Sequence, residues 1–345
     1  MKPKTGLKRI FWNDREKRLR MGWRLLIYTI FLLVVTFGFS IGSSILAILA
    51  GMFAGVDDPS LSTANDPLQL FENPWIWVII PAVTCLGIIA ATFICGRWID
   101  RRKLSDFGFK FSKKWWREFI FGLVLGSLLM GLISLFGWLT GTIRITGYLK
   151  PFLVNEVFSM GFIQALLIYI LVGFYEELLF RGYYLVNLSE GLSVKKINKR
   201  WALILAWVFS SVVFGLLHAS NPNATWISTM NIIIAGVFLG LGMILTGNLA
   251  MSIGLHITWN FFQGNIFGFP VSGTRSGATL IATKLTGPEW LTGGAFGPEA
   301  GVLGLGAMVL GSALILFWVS RKGKLQLFEN LAVYEPADKR EEISA

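Results

Sequence analysis

Three ionisable side chains stand inside one long apolar stretch, and that fact restricts what the chain can become more than anything else in it. The run from about Val157 to Leu188 contains Gly173-Phe174-Tyr175-Glu176-Glu177-Leu178-Leu179-Phe180-Arg181. An ionised group deep in a bilayer costs on the order of 2.5–3.5 kcal/mol by insertion scales, so such residues persist where they pair or do chemistry. Glu177 and Arg181 are four apart and can pair along one face of a helix. Glu176 projects roughly 100° away from them and must find its partner on another segment.

The bilayer itself follows from composition. Of 345 residues, 54% are apolar and 15% charged, against a usual charged share of roughly 25% for soluble domains; the mean hydropathy is +0.62. This is the composition of an integral membrane protein. A net charge of +11 could suggest nucleic acid, but the basic residues cluster between long apolar runs, as in cytoplasmic loops, so no nucleic-acid partner is expected. Cys85 and Cys95 are ten apart in one apolar run, roughly 15 Å along a helix, so they make neither a disulfide framework nor a Cys-rich metal site.

Runs of roughly 20 apolar residues mark membrane spans. They fall near 23–50, 75–96, 118–140, 157–185, 201–219, 226–246, 249–268 and 300–319, which predicts an all-α polytopic bundle of about eight transmembrane helices. The first run is preceded by Lys2, Lys4, Lys8, Arg9, Arg15, Lys17, Arg18 and Arg20 and is too long for a cleaved signal sequence, so it is expected to stay as a span. The loop 97–117 is strongly basic, whereas the charges of 51–74 are all acids: Asp57, Asp58, Asp66 and Glu72. The basic side is cytoplasmic. Lys195, Lys196, Lys199 and Arg200, and then Arg321, Lys322 and Lys324, fall on that side under an eight-span count, which puts both termini in the cytoplasm. The whole chain 1–345 reads as one membrane domain without internal repeat. Residues 269–299, rich in Gly, Ser and Thr, are expected outside as an ordered loop or lid, and 325–345 as a flexible polar tail. Gly122/Gly126 and Gly236/Gly240 have the spacing that lets helix backbones approach closely.

The chain has 2 histidines, and both lie in predicted spans beside other polar groups. His218 follows Phe214 by one turn, and His256 and Asn260 share one face of the seventh apolar run. With Glu176, Glu177 and Arg181 they nearly exhaust the strongly polar side chains of spans four, five and seven. One shared polar cavity costs far less than burying each alone. In such a cavity a carboxylate and a neutral imidazole can take a proton from water and aim it at a carbonyl. A second imidazole and an amide one turn away can donate to the resulting oxyanion. Alternatively, Glu176, His218 and His256 could hold Zn²⁺ with an open position, although no HExxH motif is present. Gly38-Phe39-Ser40-Ile41-Gly42 matches the nucleophile-elbow pattern but lies inside an apolar span rather than on a strand-to-helix turn, so it is set aside. A phosphate-binding loop is also absent.

Glu176-Glu177-x-x-x-Arg181, Phe214-x-x-x-His218 and His256-x-x-x-Asn260, in that order on successive apolar segments, together resemble the CPBP family. Its members are the membrane-embedded CAAX prenyl endopeptidases and their bacterial relatives linked to bacteriocin processing and self-immunity, also called Abi proteins. The resemblance covers roughly 155–320. It implies an intramembrane endopeptidase of a bacterial plasma membrane, acting on a peptide or membrane-protein substrate. By similarity, Glu176 and His218 activate water, His256 and Asn260 form the oxyanion hole, and Glu177 with Arg181 supports the site. The family has carried both metalloprotease and metal-free accounts. Asn260, a poor zinc ligand and a good oxyanion donor, favours the reading that requires no cofactor. The same intramembrane charges would also suit a transporter's ion relay or a non-catalytic immunity protein. Depth is at odds with the predicted spans. If Arg200 marks the inner boundary, His218 lies roughly 27 Å up its helix, deeper than Glu176 and His256. A dip of 186–200 into the membrane or a shifted span boundary is expected to resolve this.

Overall fold

The computed structural model describes residues 10–14, 16–54, 76–151, 157–321 and 323–334. The acidic stretch 55–75, the first nine residues and 335–345, on which parts of the orientation and tail arguments rest, lie outside them. Two short strands, β1 (Trp12–Asn13) and β2 (Arg18–Leu19), form a small hairpin before α1 (Met21–Ala54) and α2 (Ile76–Ile94). The GxSxG pattern lies within α1, in continuous helix. After α2 the chain winds into a π-helical turn, Cys95–Asp100, and then enters α3 (Lys113–Leu139). Strand β3 (Ile143–Lys150) follows, then α4 (Phe158–Glu177), a π-helical segment Leu178–Tyr184 and α5 (Leu185–Leu192). Helices α6 (Lys199–Leu217), α7 (Trp226–Thr246) and α8 (Ala250–Phe261) complete the centre. Beyond them lie β4 (Thr279–Leu285), α9 (Glu289–Thr292) and α10 (Val302–Ser320). Cys85 and Cys95 are both free and buried.

Seven helices among the described residues are long and apolar enough to cross a membrane, which makes this an integral membrane helix bundle. The expected eighth, 249–268, takes another form. Its regular helix α8 has 12 residues, about 18 Å of rise against a hydrocarbon core of roughly 30 Å. Every residue of α8 except Asn260 is buried, so it is the axis around which the other helices stand. Its apolarity reflects surroundings of protein as much as lipid.

Tight helix contacts account for that enclosure. With little hydrophobic drive between helices in lipid, association rests on close van der Waals approach. A Cβ at Gly122 would come within 2.3 Å of the Met251 carbonyl oxygen, and one at Gly126 within 2.3 Å of Thr258 Oγ1. In return, α8 presents Gly254 to the Phe119 backbone of α3. Gly236 and Gly240 likewise admit Ser211 and Trp207 of α6 against α7.

The region 269–299 is ordered. Its strand β4 pairs antiparallel with β3, with an irregularity between Ile145 and Gly147. The segment expected to be a flexible tail from 325 is instead packed as far as Tyr334: Phe328 N–H donates to the Ile244 carbonyl at 2.7 Å, and Leu331 and Ala332 are buried. Ahead of Tyr334, Arg18 stacks on its ring with the guanidinium carbon 3.3 Å from the ring centre. Arg24 pairs with Asp100 at 2.8 Å and Glu190 at 2.7 Å, Arg102 pairs with Glu190 at 2.5 Å, and Arg18 closes on Glu190 as well. The N-terminal segment, the loop after α2, the end of α5 and the C-terminal segment therefore meet at one end of the bundle. A shared side for these basic segments requires the same arrangement.

The depth conflict is also resolved. The fourth helical run extends from Phe158 to Leu192, seven residues beyond the predicted boundary. Glu176 lies roughly 24 Å along the helix from Leu192, and His218 roughly 28 Å from Lys199, so the two reach similar levels. The glycine contacts predict that Gly126→Val lowers the thermal midpoint in detergent, with an overpacking cost of about 1–3 kcal/mol. Gly131→Val, on the same helix with nothing within 4 Å of its Cβ position, is expected to leave the midpoint nearly unchanged.

Candidate active site

At the end of α6 the backbone itself sets one imidazole. The last turn tightens into a 3₁₀ turn, His218–Ser220, and the His218 N–H turns to Gly215 and Leu216 rather than to Phe214. The freed Phe214 carbonyl needs a donor. His218 supplies it from its own ring, with Nδ1 2.7 Å from the Phe214 oxygen. A carbonyl only accepts, so Nδ1 carries the hydrogen and Nε2 of the neutral ring holds the free lone pair.

The second imidazole is fixed by charge. Glu177 Oε1 lies 2.9 Å from His256 Nδ1 and 2.9 Å from Arg181 Nη1. Arg181 Nη2 donates in addition to the Gly236 carbonyl at 3.0 Å. Glu177 is fully buried and Arg181 nearly so, in agreement with the pairing expected from their spacing. Arg181 lies in the π-helical segment, a local widening of the helix often found at functional sites. Its guanidinium carbon is 4.4 Å from the Phe214 ring centre. The opposite partner of that ring is His218, with centroids 4.6 Å apart, and His256 meets its edge at 6.3 Å. Phe214 is thus in contact with the cation and with both imidazoles.

Glu176 finds the partner it lacked on its own helix: its Oε2 is 3.8 Å from His256 Nε2. Glu176, His218, His256 and Asn260 all line one cavity of about 350 Å³. Glu176, His218 and Asn260 are half-buried toward it, while His256 is 5% exposed. Glu177 and Arg181 stand behind His256. The six residues singled out by spacing are therefore gathered at one place.

Several residues at this cavity carried no signal in the sequence. Tyr169 and Tyr175 come from α4, Asn221 from the turn after His218, and Ser272, Arg275 and Glu299 from the loop region. Polar residues in a Gly-rich loop are ordinary, and nothing in their spacing ties them to the apolar spans. Ile80 and Pro81 of α2 with Val172, Phe238 and Leu239 form apolar wall. Among the described residues, no three His, Cys, Asp or Glu side chains are grouped to hold a metal ion. Nδ1 is already bonded in both rings, to Glu177 in His256 and to the Phe214 carbonyl in His218, which leaves Nε2 of each ring for a further partner.

Residues 157–262 match a family model described as type II CAAX prenyl endopeptidase Rce1-like. The match begins at the foot of α4, ends one residue past α8 and contains all six residues of the site. No curated protein and no solved structure matches the chain.

Removing one member of a buried ion pair costs about 3–5 kcal/mol because its partner stays charged and uncompensated. Arg181→Met is expected to destabilise the protein by that amount in detergent melting, and Glu177→Gln in the same chain to restore part of it. Additive losses would show that the two do not act as a pair.

Proposed function

We propose that this protein, built on a type II CAAX endopeptidase-like core, is an intramembrane endopeptidase whose catalytic water is activated by Glu176 and His218. The observation that supports the reading most strongly is the free Nε2 of His218 in the same cavity as the Glu176 carboxylate. Either group can take a proton from water, and two acceptors in one cavity orient the water that lies between them. The oxygen attacks the scissile carbonyl carbon, a C–O bond forms and the carbonyl oxygen becomes an oxyanion. The abstracted proton then passes to the amide nitrogen as the C–N bond breaks, leaving a carboxylic acid and an amine.

His256 and Asn260 are assigned to the oxyanion. With Nδ1 donating to Glu177, His256 offers a second N–H from Nε2 only as the imidazolium; the Glu177 and Glu176 carboxylates lie 2.9 and 3.8 Å from its two ring nitrogens. Asn260 Nδ2, one turn further on, donates without any change of protonation. Two preorganised donors of this kind are typically worth 10²–10³ in rate each. The pair Glu177 and Arg181 holds the His256 ring in place. No step passes through a metal.

The substrate is a peptide bond of a membrane-associated chain. The apolar wall of Ile80, Pro81, Val172, Phe238 and Leu239 suits an apolar side chain or lipid-modified segment next to the bond cleaved, the chemistry that a CAAX-type substrate would present. The basic end of the bundle is assigned to the cytoplasm by the distribution of Lys and Arg.

In purified protein assayed with internally quenched apolar peptides in detergent, Glu176→Gln and His218→Ala are each expected to lower kcat by about 10²–10⁴. Asn260→Ala is expected to lower it by about 10²–10³ with little change in KM. Turnover at the wild-type level in Glu176→Gln would remove the mechanism.

A further inference from the structure

Along the cavity wall runs a chain of hydrogen bonds that begins next to His218 and ends next to Asn260. Asn221 N–H donates to the His218 carbonyl at 3.1 Å, and Asn221 Nδ2 donates to the Ser272 carbonyl at 3.0 Å. Ser272 N–H donates to Glu299 Oε1 at 2.5 Å. Oε2 of the same carboxylate accepts from Gln263 Nε2, which also donates to the Pro270 carbonyl at 2.6 Å. Gln263 sits one turn beyond Asn260, where α8 passes into a π-helical segment, Phe262–Ile266.

The backbone around Glu299 is shaped for this contact. Gly297 has φ 123°, and a Cβ there would fall 2.3 Å from the Pro270 oxygen, 2.7 Å from Glu299 Oε2 and 2.9 Å from Gln263 Nε2. Gly273, with φ 82°, lets its N–H reach the Phe296 carbonyl at 2.7 Å. The two edges of the loop are therefore pressed together over a carboxylate that is 3% exposed and lines the catalytic cavity. A buried carboxylate with donors on both oxygens, beyond the stretch matched to the family model, needs a reason to be there.

We propose that Glu299 is a positioning residue that ties the base side of the site, His218, to the oxyanion side, His256 and Asn260, through a strap formed by Asn221, Ser272 and Gln263. The inference rests on the proteolytic reading of that site. Both Glu299 oxygens accept from N–H donors, an arrangement that the carboxylate satisfies and the neutral acid does not, since its O–H would oppose one of them. The strap is thus complete with Glu299 ionised and loosened by protonation. Burial raises the Glu299 carboxyl to about 7, while the hydrogen bonds from Ser272 and Gln263 pull the other way. The titratable and charged groups that share its cavity are Tyr169, Tyr175 and Glu176 from α4, His218, His256 and Arg275. The strap is therefore expected to tighten as pH rises through about 7.

The test compares wild type, Glu299→Gln and Asn221→Ala with an internally quenched apolar peptide and by ¹⁵N-histidine NMR. With 2 histidines in the chain, the imidazole spectrum reads His218 and His256 directly. Glu299→Gln is expected to lower kcat about tenfold above pH 7, to change KM by less than twofold, and to lose the fall in kcat that wild type shows below about pH 7. It is also expected to shift the ¹⁵N signals of both rings. Asn221→Ala, at the half-exposed end of the strap, is expected to lower kcat in the same sense while keeping the ionisation near 7. Asn221→Ala also serves as the test if Glu299→Gln does not fold. Unchanged kcat, pH profile and imidazole signals in the variants would overturn the proposal. If wild type cleaves no peptide, the proteolytic reading fails by itself, and the imidazole signals still decide whether Glu299 positions the two rings.

Discussion

The pairing of Glu177 with Arg181 and His256 is the constraint from which the arrangement of the bundle follows. A carboxylate with no exposed surface, at a depth where water is scarce, cannot be left alone, because its desolvation outweighs any single contact around it. One bond comes along its own helix from Arg181, the other from α8 through His256. Arg181 in turn needs acceptors for its remaining N–H groups and takes the Gly236 carbonyl of α7. One buried charge thus binds three segments that are far apart in the chain, and the small residues between them are what allow the backbones to come near enough. Gly173, whose Cβ would lie 2.7 Å from the Ile257 side chain, places α4 against α8 one turn before the acidic pair.

Much of this was legible in the sequence because spacing on a helix is geometry. Glu177 and Arg181 at four residues, Phe214 and His218 at four, and His256 and Asn260 at four each put two groups on one face, and the cost of intramembrane charge required the faces to converge. The polytopic helical fold was legible for the same kind of reason. Hydropathy could not separate a helix surrounded by protein from one surrounded by lipid, so α8 read as an eighth span. Nor could it place the end of the fourth span. Residues 185–190, with Asn187, Ser189 and Glu190, look polar enough to leave the membrane, yet all are buried, Asn187 and Glu190 against Arg24 and Ser189 against the Leu331 carbonyl. The tail was misjudged for a related cause: Phe328 and Leu331 are too few to make a periodic pattern, but they suffice to dock a short turn beside Ile244. Glu299 and Gln263 left no trace, since a side chain that acts across a long loop has no fixed spacing from what it contacts.

Two of the polar clusters among the described residues divide the labour. At the basic end, Arg18, Arg24 and Arg102 enclose Glu190, with Asp100 on the far side of Arg24. The groups of that cluster are almost wholly buried, so they fasten chain segments. At the other cluster the burial is graded. Glu177, Arg181 and His256 are buried, whereas Glu176, His218 and Asn260 are partly open to the cavity. This grading separates Glu177 and Arg181, which hold geometry, from Glu176, His218 and Asn260, which would meet water and substrate, with His256 the buried ring that reaches the cavity between them.

That separation bears on how hydrolysis could proceed in an apolar surrounding at all. A base that is free to rotate, or an oxyanion donor that is free to choose another acceptor, would be satisfied by its neighbours before any substrate arrived. Here each imidazole has one nitrogen committed: His218 to the carbonyl released by its own helix end, His256 to the buried carboxylate. Each keeps its Nε2 for the chemistry proposed. The cost of fixing both rings is met during folding, when the helix terminus needs a donor and Glu177 needs a counter-charge, rather than at the moment of reaction. The features that stabilise the fold and those that prepare the site are accordingly the same hydrogen bonds. Substitutions in this group are for that reason expected to move stability and turnover together, while those at the cavity face move turnover alone.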